Sequence, residues 1–203
     1  MASDNWTFFQ AFLKSPRVVA SVFPSSSLLE RRVARAAGAA AAGVVVEFGA
    51  GTGGITRALL KAMGTDARLL VLERTAEFVD KLSRINDERL ELVHGCASSI
   101  GAELNRCGHV AADAVVSGIP FSTLPKPLAI DIVSAVDEML APGGRFVAYQ
   151  FTDRVVDYAG PVMGIPEVQY ELLNVPPVRV FTWRKSALAR GKGNGKGNGS
   201  GTQ

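Results

Sequence analysis

Apolar and polar positions follow two rhythms along the chain. Short runs rich in Val, Leu and Phe recur at 44–48, 69–72, 90–93, 114–116 and 146–151, each too short for a helix and apolar enough for a buried strand. Between them the spacing lengthens to that of amphipathic helices, predicted over 28–42, 55–63, 76–85, 98–107 and 128–140, the last closed by Ala141, Pro142, Gly143 and Gly144. Alternating strands and helices predict an α/β protein with a mostly parallel sheet, because each strand needs a crossover before the next can start at the same edge. Near the end the rhythm changes. Residues 168–174 and 178–183 flank Val175, Pro176 and Pro177 with no room for a helix, so they are expected to pair antiparallel and finish a seven-stranded sheet carrying helices on both faces.

Composition narrows this picture. The 203 residues are 47% hydrophobic, enough to bury one domain's core, and the longest apolar run, 36–46, falls well short of the ~20 residues that span a bilayer. Two cysteines, Cys96 and Cys107, with no CxxC and no His at a closed spacing, argue against a zinc site or disulfide scaffold, and no metal is expected. The first residues lack the charged start and apolar core of a secretory signal, which predicts a cytoplasmic protein. The net charge of +3 hides an arrangement. Residues 1–35 carry +3, residues 179–203 carry +6 with no acid, and 36–178 hold 11 bases against 17 acids. An acidic body with basic ends fits an anionic surface met by the termini better than a nucleic acid gripped by the whole domain, and no nucleic-acid partner is expected.

The chemistry gathers after the first strand. Glu47 and Phe48 lead into Gly49, Ala50, Gly51, Thr52, Gly53 and Gly54, and a helix is predicted at once. Glycines there allow a tight turn and bring backbone amides at a helix start close to a ligand. Gly49, Gly51 and Gly54 satisfy GxGxxG, a weak signal alone that also fits a dinucleotide. Glu73 closes the second strand, where a carboxylate can accept both hydroxyls of a ribose. No Tyr has the Lys four residues on that a short-chain dehydrogenase would need.

With Glu47 ahead of the glycines and the terminal hairpin, residues 44–184 resemble the Rossmann-like class I S-adenosylmethionine-dependent methyltransferases. The resemblance implies S-adenosylmethionine as cofactor. Glu47, Gly49, Ala50, Gly51, Thr52 and Gly53 would lie at its methionine part, Glu73 and Arg74 at the ribose, and Gly95, Cys96 and Ala97 at the adenine, Cys96 standing where relatives often carry an acid. After the fourth strand, Ser117, Gly118, Ile119, Pro120 and Phe121 resemble the acceptor loop of the ribosomal-RNA adenine dimethyltransferases, with Gly118 in place of their Asn. Losing that side chain lowers RNA in the ranking. Taken with residues 12–16, 23–27, 142–144 and 149–152, the whole set resembles the bacterial phospholipid N-methyltransferases, which methylate phosphatidylethanolamine, and the ornithine-lipid N-methyltransferases share the pattern. The resemblance implies stepwise N-methylation of a phospholipid headgroup, with Gly118, Ile119, Pro120 and Phe121 at the substrate. Ser117 would fix the cofactor or the amine, Phe121 and Tyr149 would form a cation–π wall or else pack in the core, and one of Ser25 and Ser26 would face the cofactor while the other caps a helix. His94 and His109 are read as structural.

The first residues fit such a substrate independently. Trp6, Phe9 and Leu13 fall on one helical face, Phe8 and Phe12 adjoin it, and Lys14 and Arg17 follow, the pattern of an interfacial helix on an anionic membrane. The expected layout is a membrane-facing segment over 1–27, a methyltransferase domain over 28–186 and a Gly/Lys/Asn tail over 187–203, attached peripherally to the inner face of the cell membrane.

Overall fold

A computed structural model describes residues 26–174 and 177–187. Seven strands form one sheet: β1 (Val44–Phe48), β2 (Arg68–Glu73), β3 (Leu90–His94), β4 (Ala112–Ser117), β5 (Leu140–Gln150), β6 (Glu167–Glu171) and β7 (Val178–Arg184), in the order β3-β2-β1-β4-β5-β7-β6. The first five run parallel, and β7 inserts antiparallel between β5 and β6. The expected fold class is what the structure has. Among the described residues no helix is long and apolar enough to cross a membrane.

The sheet is apolar on both faces. Val45, Val116 and Val147 point toward α1 (Ser27–Ala37) and α2 (Gly54–Ala62), with α3 (Ala76–Leu82) adding Leu82. Val46, Val115, Phe146 and Phe181 point toward α4 (Ile100–Arg106), α5 (Lys126–Met139) and α6 (Arg154–Met163). Burial on both sides explains why these strands read as continuous apolar runs.

Three boundaries differ from the sequence reading. The helix expected over 28–42 stops at Ala37, because Gly38 turns left-handed (φ 68°) and its N–H bonds back to the carbonyls of Ala34 and Arg35. Arg145 lies where a side chain at position 38 would go, and its guanidinium caps the Ala36 carbonyl at 3.1 Å. Residues 141–144, expected as a stop, belong to β5. Leu140 pairs with Ala112, the register then shifts, and Gly143 and Gly144 exchange backbone bonds with Lys185. The third difference is α6, which the sequence reading missed. Both β5 and β6 run antiparallel to β7, so they are parallel to each other and the chain must cross back between them. Gly160, Pro161 and Gly164 mask the helix in the sequence, although Val155 and Ala159 bury one face of it.

Candidate functional site

The carboxyl ends of β1, β2, β4 and β5 meet at one edge, and the loops leaving them build a cleft. At the end of β1, Gly49 and Gly51 adopt positive φ (67° and 56°) and Gly53 caps α2. A Cβ on Gly51 would meet nothing within 4 Å, so the loop presents bare backbone to open space, as approach of a ligand requires. The Ala50 carbonyl holds the turn by accepting from Gly53, and the Thr52 carbonyl accepts from Arg57 at 3.0 Å.

Two carboxylates frame this loop. Glu73 is buried at the end of β2, and its two oxygens accept the N–H groups of Gly51 (3.1 Å) and Thr75 (2.8 Å). Glu47, fully buried on the α2 face of β1, accepts from the Thr56 hydroxyl at 2.7 Å, while its Oε1 has no partner among the described residues. Burial pushes the Glu47 carboxyl up to about 8, opposed by the Thr56 hydrogen bond and reinforced by the charge of Glu73. A buried oxygen with unused lone pairs is a costly arrangement that a cationic or donor group would relieve.

The acceptor side is built from longer-range contacts. Ser117 ends β4 fully buried, and its hydroxyl accepts the Ile119 N–H at 3.3 Å, so it braces the turn. Gln150, at the end of β5, donates to the Ile119 carbonyl at 2.8 Å and accepts the Phe121 N–H at 3.3 Å, clamping the loop at two points. The sequence reading gave Gln150 no role. Its signal was a buried polar residue closing an apolar strand. Pro120 leads into the turn Phe121–Thr123, held by the Thr123 hydroxyl on the Pro120 carbonyl.

Tyr149 and Gly118 are coupled. A Cβ at position 118 would lie 2.2 Å from the Tyr149 hydroxyl and 3.0 Å from the Gly49 carbonyl, so the phenol takes the space of a side chain there. Burial pushes the Tyr149 phenol up, and Glu47, Glu73 and Glu30 push it further. It therefore remains a neutral hydroxyl beside these carboxyl groups. Glu30, one turn into α1, reaches the start of α2, where a Cβ on Gly54 would lie 2.5 Å from its Oε1. The sequence reading gave it no role either.

Other expected residues are placed as follows. Phe121 is fully buried, with its ring 6.5 Å from Phe146 and 6.3 Å from Tyr158. It packs in the core on the face away from Tyr149, the second of the two roles the sequence leaves open for it. Gly49 packs on Ile119, joining the glycine loop to the acceptor loop. The Gly95 N–H extends the β2–β3 pairing by donating to the Glu73 carbonyl, Ala97 is buried, and Cys96 starts the turn Ala97–Ser99. Burial would raise the Cys96 thiol, but hydrogen bonds from Ser98 and the Arg74 charge bring it below its usual value. The Arg74 side chain is exposed, while its carbonyl pairs with His94 Nε2 at 3.0 Å. Ser26 is the helix cap, accepting from Leu29 at 3.2 Å. Ser25, Trp6, Phe8, Phe9, Phe12, Lys14 and Arg17 lie outside the described residues. Among the described residues no group of three or more His, Cys, Asp or Glu is placed to hold a metal ion.

An ornithine lipid N-methyltransferase from Singulisphaera acidiphila is 37% identical over 145 residues, covering 70% of this chain and 76% of that protein. The chain belongs to the ornithine lipid N-methyltransferase family. It is an S-adenosylmethionine-dependent methyltransferase. A ribosomal RNA small subunit methyltransferase A from Caulobacter vibrioides is 37% identical over 95 residues, covering 45% of this chain and 34% of that protein, so the chain spans about a third of that relative's length. The N-methyltransferase NodS from Bradyrhizobium japonicum WM9, solved with S-adenosylhomocysteine, aligns at a TM-score of 0.66 and 12% identity, over 82% of this chain and 90% of that one, a likeness of fold. No family model matches the chain.

The residues of this methyltransferase suit its cofactor. The open backbone at Gly51, the framed carboxyl group of Glu73 and the Glu47 Oε1, which has no partner among the described residues, together offer donors and acceptors to a ligand that is cationic at its sulfonium and ammonium and carries ribose hydroxyls.

Proposed function

We propose that this methyltransferase N-methylates the headgroup amine of a membrane aminolipid, with ornithine lipid ahead of phosphatidylethanolamine. The sequence pattern favours phosphatidylethanolamine, and the relative from Singulisphaera, named for ornithine lipid, supports reversing that order. The observation that carries the reading is the acceptor loop. Gly118 leaves no side chain to hold the exocyclic amine of a base, the Tyr149 hydroxyl fills the space, and the carboxyl groups of Glu30, Glu47 and Glu73 lie near enough to act on it. That cleft attracts an alkylammonium headgroup and repels a polyphosphate backbone.

The resemblance supplies the roles, and the geometry supports them. Glu73 would take the ribose, the 49–53 backbone the methionine part, and residues 95–97 the adenine. When bound, S-adenosylmethionine supplies an electrophilic methyl. The chain's part is positioning: the ammonium would give its proton to solvent, and the amine's N–H groups would be held by the Tyr149 oxygen and the carbonyls of Gly118 and Ile119, leaving its lone pair in line with the methyl. Residues 28–186 would form the catalytic domain, 1–27 a membrane-facing segment and 187–203 a tail, a layout suited to peripheral attachment at the inner face of the cell membrane.

The test is incubation with methyl-labelled S-adenosylmethionine and, separately, ornithine-lipid vesicles, phosphatidylethanolamine vesicles and ribosomal RNA. Label is expected in the lipid fraction. Label in RNA alone would replace this reading with base methylation.

A further inference from the structure

Nine residues at the free edge of the sheet expose more apolar surface than any other described segment. Ile165, Tyr170, Leu172 and Leu173 are 98%, 56%, 69% and 73% exposed, and Val168 is partly so. Scattered exposed leucines are ordinary, but a contiguous set on an edge strand is not. Its position matters more than its size. Since β6 is parallel to β5, it ends at the same edge as the cofactor loop and the acceptor loop, and Leu172 and Leu173 follow its last residue.

The tip is held firmly. Buried Glu171 accepts from Arg32 Nε at 3.1 Å and from the Leu173 N–H at 3.2 Å, and Arg32 also reaches Gln169. Next in sequence, Asn174 accepts the Ser26 N–H at 3.4 Å, and partly exposed Leu28 lies two residues on. Ser26, which follows Trp6, Phe8, Phe9, Phe12, Lys14 and Arg17 in the sequence, therefore lies beside Asn174, the residue after Leu172 and Leu173.

We propose that Leu172 and Leu173 insert into the lipid surface, forming a second membrane contact that turns the cleft toward the headgroups. This rests on the aminolipid reading above. A second copy of the chain adding to the β6 edge would leave both leucines uncovered, because they lie beyond the last paired residue, Glu171. A lipid surface covers a protruding pair of side chains without needing a complementary groove. The aromatic and basic residues that precede Ser26 suit the same surface.

The test uses the full chain and vesicles of phosphatidylcholine with 30 mol% phosphatidylglycerol, roughly the anionic content that attracts basic segments. Leu172→Ser/Leu173→Ser is expected to lower vesicle partitioning about tenfold or more, and the loss should persist at high salt because the contact is apolar. Leu172→Trp/Leu173→Trp should keep partitioning, and S-adenosylhomocysteine affinity should be unchanged in both, which separates lost contact from lost folding. Equal partitioning of the wild type and the Ser variant overturns the proposal. So does a concentration-dependent dimer that only the Ser variant abolishes. Should the wild type methylate no lipid, the aminolipid reading fails on that result, while the partitioning comparison still decides the leucine contact.

Discussion

The two halves of the cleft are built differently. On the cofactor side, Gly51 and Thr75 bond to Glu73, and Thr56 to Glu47, across at most 22 positions of sequence, within one strand–loop–helix pattern and the strand that follows. On the acceptor side, Gln150 clamps Ile119 from 31 residues away, Tyr149 fills the place of a side chain at Gly118, and Arg32 fixes the hairpin from 139 residues away. The first half binds a cofactor that many enzymes share, and a local motif suffices. Under the proposed function the second would decide which amine is presented, and its parts could change in pairs without disturbing the first.

The largest break should come at that coupling. Gly118→Asn forces the new side chain onto the Tyr149 hydroxyl, and displacement of the reacting groups by about 1 Å costs roughly 100-fold in turnover. Calorimetry should show cofactor affinity within a few-fold of wild type, and Tyr149→Ala added to Gly118→Asn should recover part of the loss. Equal loss of cofactor binding would join the two halves into one.

Glu73→Gln strikes the other half. Replacing a carboxylate that accepts two backbone N–H groups should weaken cofactor binding roughly tenfold or more, at ~1.5–3 kcal/mol for a bond to a charged group, with turnover at saturation changed less. A turnover defect with unaltered affinity would contradict its assignment to the ribose.

Gln150→Leu removes the clamp. Two buried backbone groups lose their partner, so denaturant unfolding should show a loss of about 1–3 kcal/mol. The KM for the lipid should rise more than the KM for the cofactor, whereas equal rises would make Gln150 merely structural.

The effect at Glu47 appears only with pH. Its carboxyl is raised from 4.5 to about 8 on folding, so between those values the native state holds a proton that the unfolded chain has released. Stability from this group is therefore highest below about pH 4.5, falls as pH rises toward 8 and is flat above. Glu47→Gln keeps an acceptor for Thr56 and removes the titration. The melting temperature of the cofactor-free variant should gain on wild type from pH 5 to pH 8, and parallel curves would contradict the raised carboxyl.

Legibility in the sequence follows the same division. The first five strands and the order of elements were readable because burial on both faces leaves apolar runs bounded by polar helix starts, and the glycine loop was readable because its constraint is local. Phe121 was left between site and core because a motif gives the residue and not the face of the sheet it turns to, and the structure turns it onto Phe146. Helix α6 was hidden by Pro161, whose cost its buried face offsets. Gln150 and Glu30 went unassigned because their partners are loops joined only by the fold, and no spacing along the chain records that Gln150 meets Ile119 or that Glu30 meets Gly54.

The central claim is that the carboxyl-lined site beside Gly118 and Tyr149 serves a lipid amine. Product mass spectrometry on mixed vesicles holding ornithine lipid and phosphatidylethanolamine in equal amounts, with S-adenosylmethionine, tests it most directly. The account predicts methyl increments on the ornithine-lipid amine first, abolished by Gly118→Asn. Unmodified lipids throughout, beside wild-type protein that binds the cofactor normally, would contradict it.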